Sequence, residues 1–393
     1  MHPTQIVVIA FGAAAIAGTL LLLLPMSTSA GNNTTLVTAF FTAVSAVCIT
    51  GLTVVDTATH WSGFGQFVIL ILIQLGGLGI VAFATLLGLL ISGRISLRDR
   101  MNTLSEAKIV GADNVSKLLG RILLVYFGFE LVLATYLSIR LHFSYGEEVL
   151  RSIWHGTFHA ISAFNNGGFS LYTDSMMGFS QDMFFIAPVM LAVIVGGLGF
   201  PVLIELHERL WRLRLQPGGK AKRFSLHTRL TLWMTICLIG LGALFIGLLE
   251  WNNPGTLGGL NTWDKLVNTF FSAVMPRSGG FNSIDITLMD PATWLGIDLL
   301  MVIGGGSAST AGGLKVTTIA VLIFIVYTEI RGETAVNVGN RRLPRSIQRQ
   351  ALTLVALSTT AILGTTLLFA ATTDFSLDEI LFDVVSACLL YTF

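Results

Sequence analysis

The chain alternates long apolar runs with short polar stretches, on a scale much coarser than the helix or strand periods of a soluble fold. Residues 6–25, 64–92, 115–141, 183–206, 230–249 and 351–371 each supply about the 20 mainly apolar residues that a membrane-spanning helix needs. Another run, 294–327, is interrupted by glycines. Apolar segments of about a dozen residues lie between some of these runs, too short to cross a bilayer and readable as re-entrant. Amphipathic surface helices between spans give the same periodicity, so spacing alone leaves both readings open. Either way the pattern predicts an all-α, polytopic membrane protein.

Composition agrees, with 53% hydrophobic and 11% charged residues, where a soluble domain carries about 25% charged. The net charge of +1 is uninformative, but its distribution is not. Of 23 Lys and Arg residues, 18 fall within 94–121, 209–229 and 331–349, which the positive-inside rule makes cytoplasmic. Asp99, Glu106 and Asp113, lying among basic residues, read as a solvated cytoplasmic face. Most acids occupy the opposite segments, among them Asp56, Glu147, Glu148, Asp174, Asp182, Glu250, Asp264, Asp285, Asp290, Asp374, Asp378 and Glu379. A negative outer surface concentrates cations. Cys48, Cys237 and Cys388 are too few and scattered for a disulfide framework or metal knuckle. Small residues at 27–30 follow the first apolar run, but no Lys or Arg precedes it and it is longer than a signal sequence's apolar stretch, so it reads as a retained span; with 94–121 cytoplasmic, the N-terminus is expected to be cytoplasmic too.

A segment on the acidic side recurs: Phe41-Thr-Ala-Val-Ser-Ala-Val-Cys-Ile-Thr-Gly-Leu52, Phe158-His-Ala-Ile-Ser-Ala-Phe-Asn-Asn-Gly-Gly-Phe169 and Phe270-Phe-Ser-Ala-Val-Met-Pro-Arg-Ser-Gly-Gly-Phe281. The copies are a little over one hundred residues apart, and a partial fourth begins at Phe382-Asp-Val-Val-Ser-Ala387. Each reads as a span, a half-length helix, a glycine-bearing turn and a second span. Irregular backbone at membrane depth is tolerated where it is buried in protein or lines a water-filled cavity. Glycine turns brought to one axis can present carbonyl oxygens in place of an ion's hydration shell, and glycine accepts the backbone conformations this requires.

These residues resemble the Trk/Ktr/HKT superfamily of potassium and sodium transporters, over essentially the whole chain. The specific elements are Ala46-Val-Cys-Ile-Thr-Gly-Leu52, Ala163-Phe-Asn-Asn-Gly-Gly-Phe169, Pro276-Arg-Ser-Gly-Gly-Phe-Asn282 and Gly304-Gly-Gly-Ser-Ala-Ser-Thr-Ala-Gly-Gly-Leu-Lys315. With one span before the first loop, the chain is more similar to the Ktr membrane subunit than to the Trk one. The resemblance implies four membrane–pore–membrane repeats, like a fused potassium channel: 1–93 (pore loop 34–56), 94–207 (pore loop 149–173), 208–330 (pore loop 262–285, broken helix 304–313) and an incomplete fourth at 331–393. It implies a selectivity filter at Gly51, Gly168 and Gly280, with neighbouring backbone at Ile49, Thr50, Asn166, Gly167, Ser278 and Gly279.

It also implies an intramembrane gate built from Gly304, Gly305, Gly306, Ser307, Ser309, Thr310, Gly312, Gly313 and Lys315. A glycine-rich helix contact is the plainer reading of that stretch, but five glycines in ten residues make a poor helix. Arg277 is expected to brace the filter from behind, Glu130 to pair within the bundle, and His155 and His159 to pack instead of binding metal. The implied cargo is K+, with Na+ as a coupling or regulatory ion or, alternatively, a permeant one. Implied partners are membrane lipid, a second copy in a homodimer, and a cytosolic ring of regulatory subunits carrying the nucleotide. No nucleic acid is expected. The location is a bacterial plasma membrane.

A membrane-embedded enzyme or an organic-solute carrier are rivals from other classes. No nucleophile, base and orienting residue recur at useful spacing, and the repeats all run in one orientation, where carriers usually show inverted ones. The fourth copy departs from the family at Cys388-Leu-Leu-Tyr-Thr-Phe393, with Thr392 where a filter glycine belongs. That departure reads as a truncated or frameshifted form of a longer transporter.

Overall fold

The computed structural model describes residues 3–29, 33–79, 115–215, 224–332, 335–338 and 341–388. Its helices are α1 (Pro3–Leu22), α2 (Leu36–Val47), α3 (Gly63–Leu78), α4 (Val115–Tyr145), α5 (Val149–Phe164), α6 (Met183–Leu198) and α7 (Phe200–Leu215). There follow α8 (Leu226–Glu250), α9 (Thr262–Val274), α10 (Pro291–Val302), α11 (Val316–Ile330), α12 (Arg345–Thr372) and α13 (Leu377–Cys388). One single-turn helix and three short 3-10 turns join them. A two-residue antiparallel ladder, Asn337–Val338 on Arg341–Arg342, sits in the last basic segment.

Side-chain caps fix where many helices begin. Thr35 accepts from Thr38 N at the start of α2, Ser225 from Thr228 N at α8, and Asn261 from Asp264 N at α9. Asp290 caps α10, which opens on Pro291, a residue whose missing N–H is harmless there. The short helices α2, α5, α9 and α13 are wedged among longer ones. Helix α5 touches α3, α4 and α6; α9 touches α6 and α8; α13 touches α10 and α12. Apolar side chains fill these seams, including Ile69, Ile73 and Phe158 in one, Leu137, Phe164, Phe185 and Phe271 in another, and Ile246, Ile297 and Val385 in a third.

Among the described residues, Ile122–Tyr145, Leu226–Glu250 and Arg345–Thr372 are long and apolar enough to cross a membrane. Their outward faces carry exposed Leu124, Leu131, Trp233, Leu244, Leu248, Leu363 and Leu367. An apolar surface on such helices is what lipid solvates.

One expected span needs correction. Residues 183–206 do not form a single straight helix, because α6 and α7 meet at a bend of 105°. Gly199 sits at the break with φ +92°, and a Cβ there would lie 2.4 Å from Ser307 O, so another chain segment occupies the space a continued helix would need. Pro201 also cannot donate to a continuing helix. The run 64–92 is helical as far as Leu78, where Gly79 turns to φ +74°, and 80–92 lie outside the described residues. The sequence signal was present as Gly-Gly-Leu-Gly at 76–79 and again at 196–199.

On the acidic side, Asp182 joins two helices. Its carboxylate accepts from Arg140 Nε at 3.0 Å and Nη2 at 2.9 Å, from Tyr145 OH at 2.9 Å, and from Phe184 N at 3.0 Å as the α6 cap. Replacing Asp182 with alanine is expected to cost about 1–3 kcal/mol from the lost cap and partly exposed ion pair. The measurement is the thermal unfolding midpoint in detergent, and an unchanged midpoint would show that the junction contributes nothing.

Candidate functional site

Three short helices run into turns of the same shape. After α2, α5 and α9 the chain adopts left-handed backbone at Ile49 (φ +58°), Asn166 (φ +58°) and Ser278 (φ +85°). Two residues later it does so again at Gly51 (φ +76°), Gly168 (φ +70°) and Gly280 (φ +73°). Left-handed backbone costs a non-glycine residue about 1–2 kcal/mol, so something must hold the first position of each pair. Helix-end carbonyls contribute: Ala46 O accepts from Ile49 N at 3.3 Å, and Ala163 O from Asn166 N at 3.1 Å. The next amides are held similarly, Thr50 N to Ser45 O at 2.9 Å and Gly167 N to Ser162 O at 2.6 Å, while Gly279 N reaches Met275 O at 2.7 Å. In the first two turns a serine closes the far side, Ser45 Oγ donating to Leu52 O and Ser162 Oγ to Phe169 O.

The three glycines meet. A Cβ on Gly168 would lie 3.1 Å from Gly280 Cα and 3.2 Å from Gly51 Cα; one on Gly280 would lie 2.7 Å from Gly168 Cα. A Cβ on Gly51 would lie 2.9 Å from Gly167 O. Gly51 and Gly168 are half-buried and Gly280 is exposed. Helix α13 is a fourth short helix, packed through Phe382 on Trp294 with ring centroids 5.8 Å apart. Thr392 and the rest of 389–393 lie outside the described residues.

Residues 304–313 form a loop between α10 and α11 that is tied on three sides. At its neck Ile303 and Leu314 form a parallel bridge, with Gly304 N donating to Leu314 O at 3.0 Å. It meets the α6–α7 break through Gly306 N to Gly197 O at 2.7 Å, Thr310 N to Gly196 O at 3.3 Å and Phe200 N to Ala308 O at 2.9 Å. It reaches the glycine turns through Gly312 N to Ser278 Oγ at 3.1 Å and Thr310 Oγ1 to Phe164 O at 3.1 Å. Ser307 Oγ and Thr317 Oγ1 are 3.1 Å apart, Ser309 Oγ donates to Gly306 O, and Lys315 Nζ donates to Ala311 O at 2.7 Å. A Cβ on Gly304 would lie 1.7 Å from Gly312 O, one on Gly305 2.5 Å from Gly197 O. Arg277, 8% exposed, donates from Nη2 to Gly304 O at 3.2 Å, so its grip is on this loop.

Outside these turns, Asp56 Oδ2 accepts from Thr59 and Thr173, bridging two surface segments. Burial raises the Asp56 carboxyl, but hydrogen bonds from the Thr59 hydroxyl, Ala58 N–H and Thr173 hydroxyl outweigh it and hold the group below the usual carboxylate range. Asp56 therefore stays charged. His155 faces Glu147 and Tyr172, and His159 stacks on Tyr172 and shares a hydrogen bond with Ser170. No group of three or more His, Cys, Asp or Glu side chains placed to hold a metal occurs among the described residues. Glu130 does have partners inside the bundle, Gln74 and Asn165, 56 and 35 residues away in sequence. No sequence signal marked either partner.

The family model for cation transport proteins, TrkH, matches residues 1–389. Ktr system potassium uptake protein B of Bacillus subtilis is 40% identical over 353 residues, covering 89% of this chain and 76% of that protein. Ktr system potassium uptake protein D of the same organism is 35% identical over 393 residues, covering 98% and 84%. The potassium/sodium uptake protein NtpJ of Enterococcus hirae is 34% identical over 354 residues, covering 90% and 76%. Among solved structures, the potassium transporter TrkH from Vibrio parahaemolyticus superposes with a TM-score of 0.73 at 16% identity, covering 100% of this chain and 82% of that one.

Proposed function

This chain belongs to the TrkH family of cation transport proteins, a family of transporters and not enzymes, and from there we propose that it carries K+ into a bacterial cell through its glycine turns. The observation that carries the reading is the meeting of Gly51, Gly168 and Gly280, three left-handed glycines ending three short helices. Alternating backbone hand over three residues turns successive carbonyls towards one side, the arrangement that can replace an ion's hydration shell. The filter then comprises Ile49, Thr50, Gly51, Asn166, Gly167, Gly168, Ser278, Gly279 and Gly280, with α2, α5 and α9 as pore helices. Each presents its C-terminal end, where the helix dipole is equivalent to about half a negative charge, to the cation. Carboxylates such as Asp56 on the outer side raise the local cation concentration.

In this reading the repeats are 1–93, 94–207, 208–330 and 331–393, and the N-terminus is cytoplasmic. Residues 304–313 obstruct the path as a gate, since they bond directly to the turn at Ser278 and to the end of α5. A cytosolic nucleotide-binding ring, docked on the basic segments, moves that loop, and a second copy completes a homodimer. Similarity to proteins named for potassium uptake and for potassium/sodium uptake supports K+ as cargo and keeps Na+ as a coupled or permeant ion. The test is uptake of a rubidium tracer into liposomes containing the purified chain, in competition with K+ and Na+. Strong competition by K+ and weak competition by Na+ are expected. No uptake above protein-free liposomes, with or without a regulatory ring, would sink the proposal.

A further inference from the structure

The residue three positions before each of the meeting glycines differs in chemistry: Cys48, Asn165 and Arg277. In the second turn that residue sits in a buried polar cluster. Asn165 and Tyr126 are fully buried and Glu130 is 5% exposed, beside a core that includes Leu133, Ala163 and Phe164. Asn165 Nδ2 donates to Glu130 Oε1 at 2.9 Å and to Ile161 O at 2.8 Å. Gln74 Nε2 donates to Glu130 Oε2 at 2.9 Å and Oε1 at 3.2 Å, and Gln74 Oε1 lies 3.3 Å from Asn165 Nδ2. The Tyr126 hydroxyl donates to Asn165 Oδ1. Tyr126 also packs edge-on against Phe164, with centroids 4.9 Å apart. Gly77 leaves the space for this: a Cβ there would lie 1.6 Å from Asn165 Oδ1.

Burying so many polar groups in a mainly apolar core is costly unless all are paired, and an apolar side chain at 130 would pack without that demand. The cluster ties α3 and α4 to the last turn of α5, one residue before left-handed Asn166. Both polar ends of the Asn165 amide are engaged, so its orientation is fixed, and with it the direction in which the chain leaves α5. Neither of the other two turns has such a bracket among the described residues: Arg277 grips Gly304 O, and Cys48 is a free, half-buried thiol.

We propose that Glu130 is a positioning residue for ion selection, acting through Asn165 to hold the wall formed by Asn166, Gly167 and Gly168. The inference rests on the reading of the glycine turns as the filter. Its readout is the ratio of K+ to Na+ competition against rubidium tracer uptake, measured per amount of protein in the membrane. Glu130→Leu removes the acceptor for Asn165 and Gln74, and the ratio is expected to fall about tenfold, equivalent to roughly 1.4 kcal/mol of lost discrimination. Glu130→Gln keeps the shape and one acceptor and is expected to stay within about threefold of the parent. If Glu130→Leu does not accumulate, Tyr126→Phe carries the test, because it deletes one hydroxyl from the same bracket, and a ratio reduced by about threefold or more is expected. A ratio unchanged in the accumulating variant, with or without a lower maximal rate, reduces Glu130 to a structural residue and overturns the proposal. Gly51→Ser is measured alongside. If it changes the ratio and the Glu130 variants do not, only this inference fails; if Gly51→Ser also leaves the ratio intact, the filter reading falls and takes this inference with it.

Discussion

Gly168→Ala is expected to reduce potassium uptake by roughly 100-fold or more. Gly168 lies between the other two glycines, so its added Cβ would meet Gly280 Cα at 3.1 Å and Gly51 Cα at 3.2 Å, both backbone atoms that cannot swing aside. Its φ of +70° adds a penalty of about 1–2 kcal/mol for any residue with a Cβ. Overpacking costs typically about 1–3 kcal/mol more, and relief of either strain means moving one of the three glycine turns. Gly280→Ala, with 2.7 Å to Gly168 Cα, is expected to behave similarly. Alanine at Gly240 or Gly364, where nothing lies within 4 Å, is expected to be silent. The measurement is growth of a potassium-uptake-deficient bacterium on limiting potassium, with membrane amounts checked for each variant. Parental growth of the Gly168 variant would remove that glycine from the conduction path.

Loosening the 304–313 loop is expected to do the opposite and raise flux in the absence of any cytosolic partner. Thr310→Val removes the hydroxyl donated to Phe164 O with little change in volume, and one hydrogen bond worth about 1 kcal/mol shifts a closed–open equilibrium by roughly fivefold. Deleting residues 307–311 also removes the Phe200 N to Ala308 O and Thr310 N to Gly196 O bonds while leaving the Ile303–Leu314 neck in place. This larger change is expected to raise tracer flux by about tenfold or more, until the open state dominates. If a deletion variant that inserts normally conducts no faster than the parent, the obstruction lies elsewhere in the chain.

Much of this architecture was legible in the residues. Apolar runs gave α1, α4, α8 and α12 to within a few residues, because hydropathy over some 20 positions is a local property that lipid reads directly. The recurring Phe-to-Gly offset marked Gly51, Gly168 and Gly280 as positions free to turn left-handed, whereas the left-handed residues two positions earlier, Ile49, Asn166 and Ser278, carry no such mark. The glycine-rich stretch at 304–313 was visibly unable to continue a helix.

Other features had no decisive local signature. The Gly-Gly-Leu-Gly at 196–199 marked the break at Gly199 ambiguously, because glycine looks alike whether it permits close helix packing, ends a helix or lines a turn; only the presence of Ser307 O beside it decides which. Arg277 reaches a carbonyl 27 residues away, and Glu130 is bracketed by residues 56 and 35 positions distant. The sequence by itself determined which segments are apolar enough to enter a membrane and where glycines permit a left-handed turn, because both follow from the chemistry of neighbouring residues. Only the tertiary structure decided which carbonyl, amide or carboxyl each turn meets, because those contacts are set by the packing of helices far apart in the chain.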